Sequence, residues 1–150
     1  MHSIILSLTA ILGVATALPA PPTTRATEIW AVNDFSIFSS KWLPEATISF
    51  TTDASSVASD TDMYSCSAKV TPEADGGIPQ ITRAPCDAKG TTFSFNPYTD
   101  DAASVSSLNI YTTGTAEKLG VAVFRRDALV LKNGTERWVG SPNFGISNIF

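Results

Sequence analysis

Histidine is almost missing from this chain: its 150 residues hold one, His2, in the opening segment. That scarcity removes the general base of Ser–His and Cys–His nucleophilic sites. Cysteine is nearly as rare, with only Cys66 and Cys86, so a zinc site, which draws on His or several thiolates, has no ligand set. Basic residues are few. Ten Lys and Arg stand against 14 Asp and Glu, for a formal net charge of −4, and they form no stripe or cluster. A nucleic-acid partner is therefore not expected, and a polybasic membrane patch is equally absent. The only basic pair, Arg125-Arg126, follows Val121-Ala122-Val123-Phe124 and reads as the end of a strand rather than a processing site. No motif asks for a cofactor.

Long apolar runs are missing too, apart from one at the start. Met1-His2-Ser3 leads into Ile4 to Val14, and Ala15-Thr16-Ala17 supplies small residues of the kind signal peptidase needs. The segment carries no Lys or Arg, so its positive charge comes from the α-amino group, with His2 as the one other source. The run falls short of the roughly 20 residues that span a bilayer, and Pro19, Pro21 and Pro22 stop a helix soon after it. The expected organisation is a signal peptide over residues 1–17, a flexible Pro/Thr-rich leader over 18–27, and a single β domain over 28–150. Cleavage after Ala17 leaves about 133 residues, enough for one core. The mature protein is expected to be secreted, extracellular and free of the membrane.

An even cysteine count in an exported chain points to a disulfide, and Cys66 with Cys86 allows one intramolecular pairing. Such a bridge stabilises by roughly 3 kcal/mol through the denatured chain. A free thiol pair and a covalent dimer are the alternatives.

The rest of the chain alternates with period two, the pattern of half-buried strands. Glu28 to Val32 is the first run. Ala46, Ile48 and Phe50 share one face, as do Tyr64, Cys66, Ala68 and Val70, then Phe93 and Phe95, then Leu108 and Ile110. Leu119 to Phe124 is apolar throughout, which predicts a strand covered on both faces. Asn133-Gly134 between Ala128–Lys132 and Thr135–Val139 is a two-residue hairpin signal. Turn-forming residues fill Asp53 to Asp62, Asp75-Gly76-Gly77, Asp87 to Gly90, Asn96-Pro97 and Thr99 to Ala103. Only Ala102 to Ser107 could form a helical turn. Short strands at this spacing predict an all-β fold, a single antiparallel β-sandwich or small β-barrel.

The candidate sites are few. Paired carboxylates are the remaining route to catalysis, as in a small glycosidase. Asp100-Asp101 and Asp60/Asp62 are the visible pairs, and both read better as solvated turn residues. The Asp60–Asp62 pair lacks the rest of a calcium loop. Trp30 and Trp138 lie in strand-like runs and read as core. Trp42, in Ser39-Ser40-Lys41-Trp42-Leu43-Pro44, lies beside a turn and is the candidate for exposure and ligand contact. Asn133-Gly134-Thr135 is an N-glycosylation sequon on an exposed turn.

Three features resemble the Alt a 1-like (AA1-like) family of small secreted fungal proteins. They are Trp30-Ala31-Val32-Asn33-Asp34-Phe35, the segment Tyr64-Ser65-Cys66-Ser67-Ala68, and Cys86 followed by Phe93-Ser94-Phe95. The resemblance spans residues 28 to 112. It implies a β-barrel or β-sandwich, a Cys66–Cys86 disulfide within it, and a non-enzymatic extracellular protein of the effector, elicitor or allergen type. It also implies binding to a host protein or a small aromatic ligand. The family's further cysteines, including one near the mature N-terminus, have no counterpart here, so neither a covalent dimer nor its interfacial ligand site is expected. Arg125 to Phe150 carries no match. The expectation is a binding protein that contacts a host (plant) protein. The alternatives are a carbohydrate-binding cell-wall module using Trp42, or a carboxylate glycosidase.

Overall fold

A computed structural model of the protein describes residues 28–55, 62–97, 105–114 and 117–149. Residues 1–27, where a signal peptide and leader are expected, together with Asp60 and Asp100-Asp101, lie outside the described residues. The described residues form ten strands, of which the first seven are β1 (Ile29–Ser40), β2 (Ala46–Thr52), β3 (Tyr64–Val70), β4 (Ile81–Pro85), β5 (Thr91–Asn96), β6 (Val105–Thr113) and β7 (Glu117–Arg125). A 3-10 turn, Arg126–Ala128, then leads to β8 (Leu129–Lys132), β9 (Thr135–Trp138) and β10 (Phe144–Ile149). No α-helix occurs among the described residues, and none of their helical segments is long and apolar enough to cross a membrane. The expected helical turn is not formed over Val105–Ser107, which open β6 and pair with β7; residues 102–104 lie outside the described residues.

The strands run β3-β2-β1-β10-β7-β6-β5-β4, antiparallel throughout. The two ends of this path meet. Cys66 and Cys86 face each other in an isolated antiparallel bridge and form the disulfide, and the Asp87 N–H donates to Ser65 O at 2.8 Å. The sheet is thus a nearly closed barrel, with the disulfide across its seam. Closure removes most of the exposed edges that an open sheet of this size would carry.

β1 is long because it serves two partners along one edge. Its first half pairs with β10 and its end pairs with β9. Between them, residues 139–143 stand away from the ladder and are tied back by Phe35 N–H to Pro142 O and Asp34 N–H to Asn143 Oδ1. Opposite this point β1 carries a bulge: between the pairs Asn33–Thr51 and Ser36–Ser49, Asp34 and Phe35 stand opposite the single residue Phe50, with Asp34 at φ 56°. An extra residue reverses the inward parity. Trp30 and Val32 point inward before the bulge, and Phe35, Ile37 and Ser39 after it.

The interior follows the alternation read from the sequence. Ala46, Ile48, Phe50, Cys66, Phe93, Phe95, Leu108 and Ile110 are all buried, joined by Ile78, Ile81, Leu129 and Ile146. Trp30 packs where Gly120 leaves room; a Cβ there would meet its ring at 2.8 Å. β7 differs from expectation. Ala122 and Phe124 pack on the core while Val123 is 63% exposed. A one-layer barrel has a single interior, so the outward Leu119 and Val121 of this strand are only half-buried and Val123 is exposed.

One end of the barrel is plugged by the β3–β4 connection, residues 71–80. Glu136 of β9, fully buried, accepts the Ile78 N–H at 2.7 Å. Gly76, at φ 96°, lies against the β8–β9 turn so closely that a Cβ would fall 2.1 Å from Gly134 O. That turn has Asn133 at φ 54° and Gly134 at φ 72°, as a type I′ hairpin requires.

Candidate ligand cleft

Among the described residues, the barrel wall opens between β7 and β10. β7 and β10 are laddered only through Gly120–Asn148 and Leu119–Ile149. Toward Arg125 and Phe144 the ladder does not continue, and side chains fill the space instead. Phe124 enters from β7, Phe144 from β10 and Trp138 from the end of β9, with buried Phe35 behind them. Their rings meet edge to face: Phe35–Trp138 at 4.9 Å, Phe124–Trp138 at 4.7 Å and Phe124–Phe144 at 5.1 Å between centroids. This is the favoured geometry for aromatic pairs.

Trp138 is held by its surroundings. Its Nε1–H donates to Ser141 O at 3.1 Å. Its ring lies over Gly140, where a Cβ would come within 2.4 Å of Cζ2. The sequence reading placed Trp138 in the core; the structure leaves it half-buried, one side on the core and the other lining a cleft of about 280 Å³. Exposed Val123, Arg125 and Asp127 form the rim, with Ser141 opposite. The cleft presents aromatic faces with one cation and one anion at its mouth. Such a surface suits an apolar or aromatic group bearing a polar edge.

The other sequence candidates are dispersed. Trp30 is buried in the core. Trp42 sits in the β1–β2 turn, 75% exposed, with Lys41 Nζ 4.6 Å from its ring centroid and exposed Leu43 beside it. Asn133 is exposed at its turn. Cys66 and Cys86 are joined at the seam. Arg125 ends β7, as the basic pair suggested. Asp62 is exposed just before β3, while its companion Asp60 lies outside the described residues.

Carboxylates do come together elsewhere, at residues the sequence reading did not select. Glu73, Asp75 and Glu136 line a cavity of about 400 Å³ beside the plug. Asp75 Oδ1 accepts the Gly77 N–H at 2.9 Å. Measured from a Cβ position on Gly77, Asp75 Oδ1 lies at 3.2 Å and Glu136 Oε2 at 3.7 Å. The two oxygens are therefore within about 7 Å, a spacing known from two-carboxylate hydrolases. Yet Glu136 has no exposed surface and is committed to a plug amide. Its evident work is to fix the loop.

Phe124, Phe144 and Val123 were likewise not singled out from sequence. The available signal was the excess of apolar residues in β7, more than a one-sided strand needs. No family model, curated protein or solved structure matches the chain.

Proposed function

We propose that this protein is exported and acts outside the cell as a non-enzymatic binding protein, with a host protein as partner. The observation that carries this reading is the aromatic cleft between β7 and β10. It holds three half-buried rings, and its rim includes a valine that is 63% exposed. Exposed apolar surface of this kind costs solubility unless something covers it. An aromatic or aliphatic side chain of the partner fits the cleft, and Arg125 and Asp127 give it polar anchors. The resemblance to the Alt a 1-like family supports the same reading.

The test is a pull-down from host extracellular fluid with disulfide-bonded protein from residue 18 onward. Val123→Asp places a charge on the rim without touching the core. Capture of a defined host protein, lost in Val123→Asp and kept in Trp42→Ala, is the expected result. Capture that ignores Val123→Asp, or substrate turnover abolished by a single acid substitution, would overturn it. A second reading rests on Trp42, whose exposed ring and neighbouring Lys41 suit a sugar face. It requires retention on insoluble wall polysaccharide that Trp42→Ala removes.

A further inference from the structure

The outer face of β1, β9 and β8 carries an apolar feature that the cleft does not explain. Phe38 points outward, 43% exposed, between Thr47 of β2 and Arg137 of β9. The outer face of the adjoining β2 and β3 is polar, with Thr47, Ser49, Ser67 and Lys69. Phe38 contacts no other ring among the described residues. It lines a groove of about 320 Å³ with Val130, Lys132, Asn133, Thr135 and Arg137. Val130 is also partly exposed. Lys132 and Arg137 form no ion pair among the described residues. The groove thus has an apolar floor, cationic hydrogen-bond donors at its sides, and the sequon Asn133-Gly134-Thr135 at one end.

We propose that Asn133 carries an N-linked glycan whose first N-acetylglucosamine lies in this groove, across Phe38 and Val130. The occupant is named by the chain itself, because the acceptor asparagine is a wall of the groove. A pyranose ring has a C–H face that packs on an aromatic ring, and its hydroxyl and acetamido oxygens accept from Lys132 and Arg137. The modification joins Asn133 Nδ2 to the anomeric carbon of a lipid pyrophosphate-linked oligosaccharide. The C–O bond to the pyrophosphate breaks, the lipid pyrophosphate leaves, and one amide proton passes to a base of the transferase. In the folded hairpin the Thr135 hydroxyl is engaged with Ser40 Oγ at 3.2 Å. The sequon therefore reacts on the entering chain, before the turn closes, and the finished fold houses the sugar. The inference rests on the export proposed above.

The experiment places residues 18–150 behind a heterologous signal in a glycosylating eukaryotic host, so failure of the native segment 1–17 to direct export does not affect it. The same sequence is made unglycosylated in an oxidising bacterial compartment. Intact mass should show one glycan, absent from Thr135→Ala. The glycoprotein should melt about 3–5 °C above the unglycosylated protein. Endoglycosidase H, which leaves one N-acetylglucosamine, should preserve that gain. Phe38→Ser should abolish it, melting alike with and without the sugar. If Phe38→Ser does not fold, nuclear Overhauser contacts between the acetamido methyl and the Phe38 ring in the wild-type glycoprotein serve instead. An unmodified Asn133, a gain that survives Phe38→Ser, a gain lost on trimming to one sugar, or absence of those contacts would overturn the proposal.

Discussion

Replacing Glu136 by alanine tests whether one buried carboxylate holds the plug in the barrel. Glu136 is fully buried and takes the Ile78 N–H at 2.7 Å, and Ile78 itself is 2% exposed. A hydrogen bond contributes about 1 kcal/mol net, and a buried amide left unmet costs about 1–3 kcal/mol. The adjoining cavity of about 400 Å³ lets water follow the lost side chain and satisfy part of that demand. Glu136→Ala should therefore cost about 2 kcal/mol. Glu136→Leu, which fills the space but offers no acceptor and excludes water, should cost more. Glu136→Gln keeps an acceptor oxygen and should cost least. Urea unfolding followed by tryptophan fluorescence gives the three values, and amide exchange at Ile78 reports the local release of residues 71–80. A ranking with Gln as costly as Ala, or an Ile78 amide as protected in the alanine variant as in wild type, would refute the latch.

Removing the seam disulfide by Cys66→Ser with Cys86→Ser should lower stability by about 3 kcal/mol, from a sequence separation of 20; a loss under 1 kcal/mol by the same urea assay would deny that the bridge constrains the denatured chain. Lys118 Nζ lies 2.6 Å from Glu28 Oε2 and lowers the Glu28 pKa, opposed by desolvation and assisted by Asn148. Because the folded value is the lower one, this contribution is present above the ordinary glutamate pKa and is lost as pH falls from there through the folded value. Both side chains are substantially exposed, so the effect is small; Glu28→Gln should flatten the acid limb of melting temperature against pH, and an unchanged slope would count against it. Gly140→Ala puts a methyl where the Trp138 ring lies and should cost about 1–2 kcal/mol, with a changed near-ultraviolet tryptophan signal and weaker partner capture; a variant with the wild-type spectrum would show that the ring is not seated there.

Strand faces were legible because period-two alternation is a local signal. Ala46, Ile48 and Phe50, or Phe93 and Phe95, each declare their side without knowledge of the partner strand. The hairpin at Asn133-Gly134 was legible for a similar reason, since two consecutive positive φ values select those residue types. What failed was what depends on distant chain. β7 reads as doubly covered, but whether a second layer exists is decided by the closure of the sheet, which Leu119 to Phe124 do not encode. The bulge at Asp34 changes the inward parity of β1, and only the register against β2 reveals it. Trp138 lies in a strand-like run and on that ground reads as core. Its half-exposure follows from the ladder between β7 and β10 stopping at Gly120–Asn148. Glu136 gave no sequence signal because its partner is a backbone amide 58 residues away.

The hairpin of β8 and β9 concentrates the consequences of these long-range facts. Three successive residues have three destinations. Glu136 points inward to the plug, Arg137 outward to the groove beside Phe38, and Trp138 inward again to the aromatic cleft. Alternation along a strand makes this possible, and only one register makes it correct, since a slip of one residue would send Arg137 into the barrel and both inward groups into water. The register is fixed at Asn133-Gly134 by the type I′ turn, by Lys41 N–H bonding to Gly134 O at 2.9 Å, and by the contact of Gly76 with that same carbonyl. The plug, the turn and the cleft are thus mechanically joined. A sugar packed on the outer face of this hairpin would stabilise the strand whose other face presents Trp138, linking the proposed modification to the proposed binding site through a single β-strand.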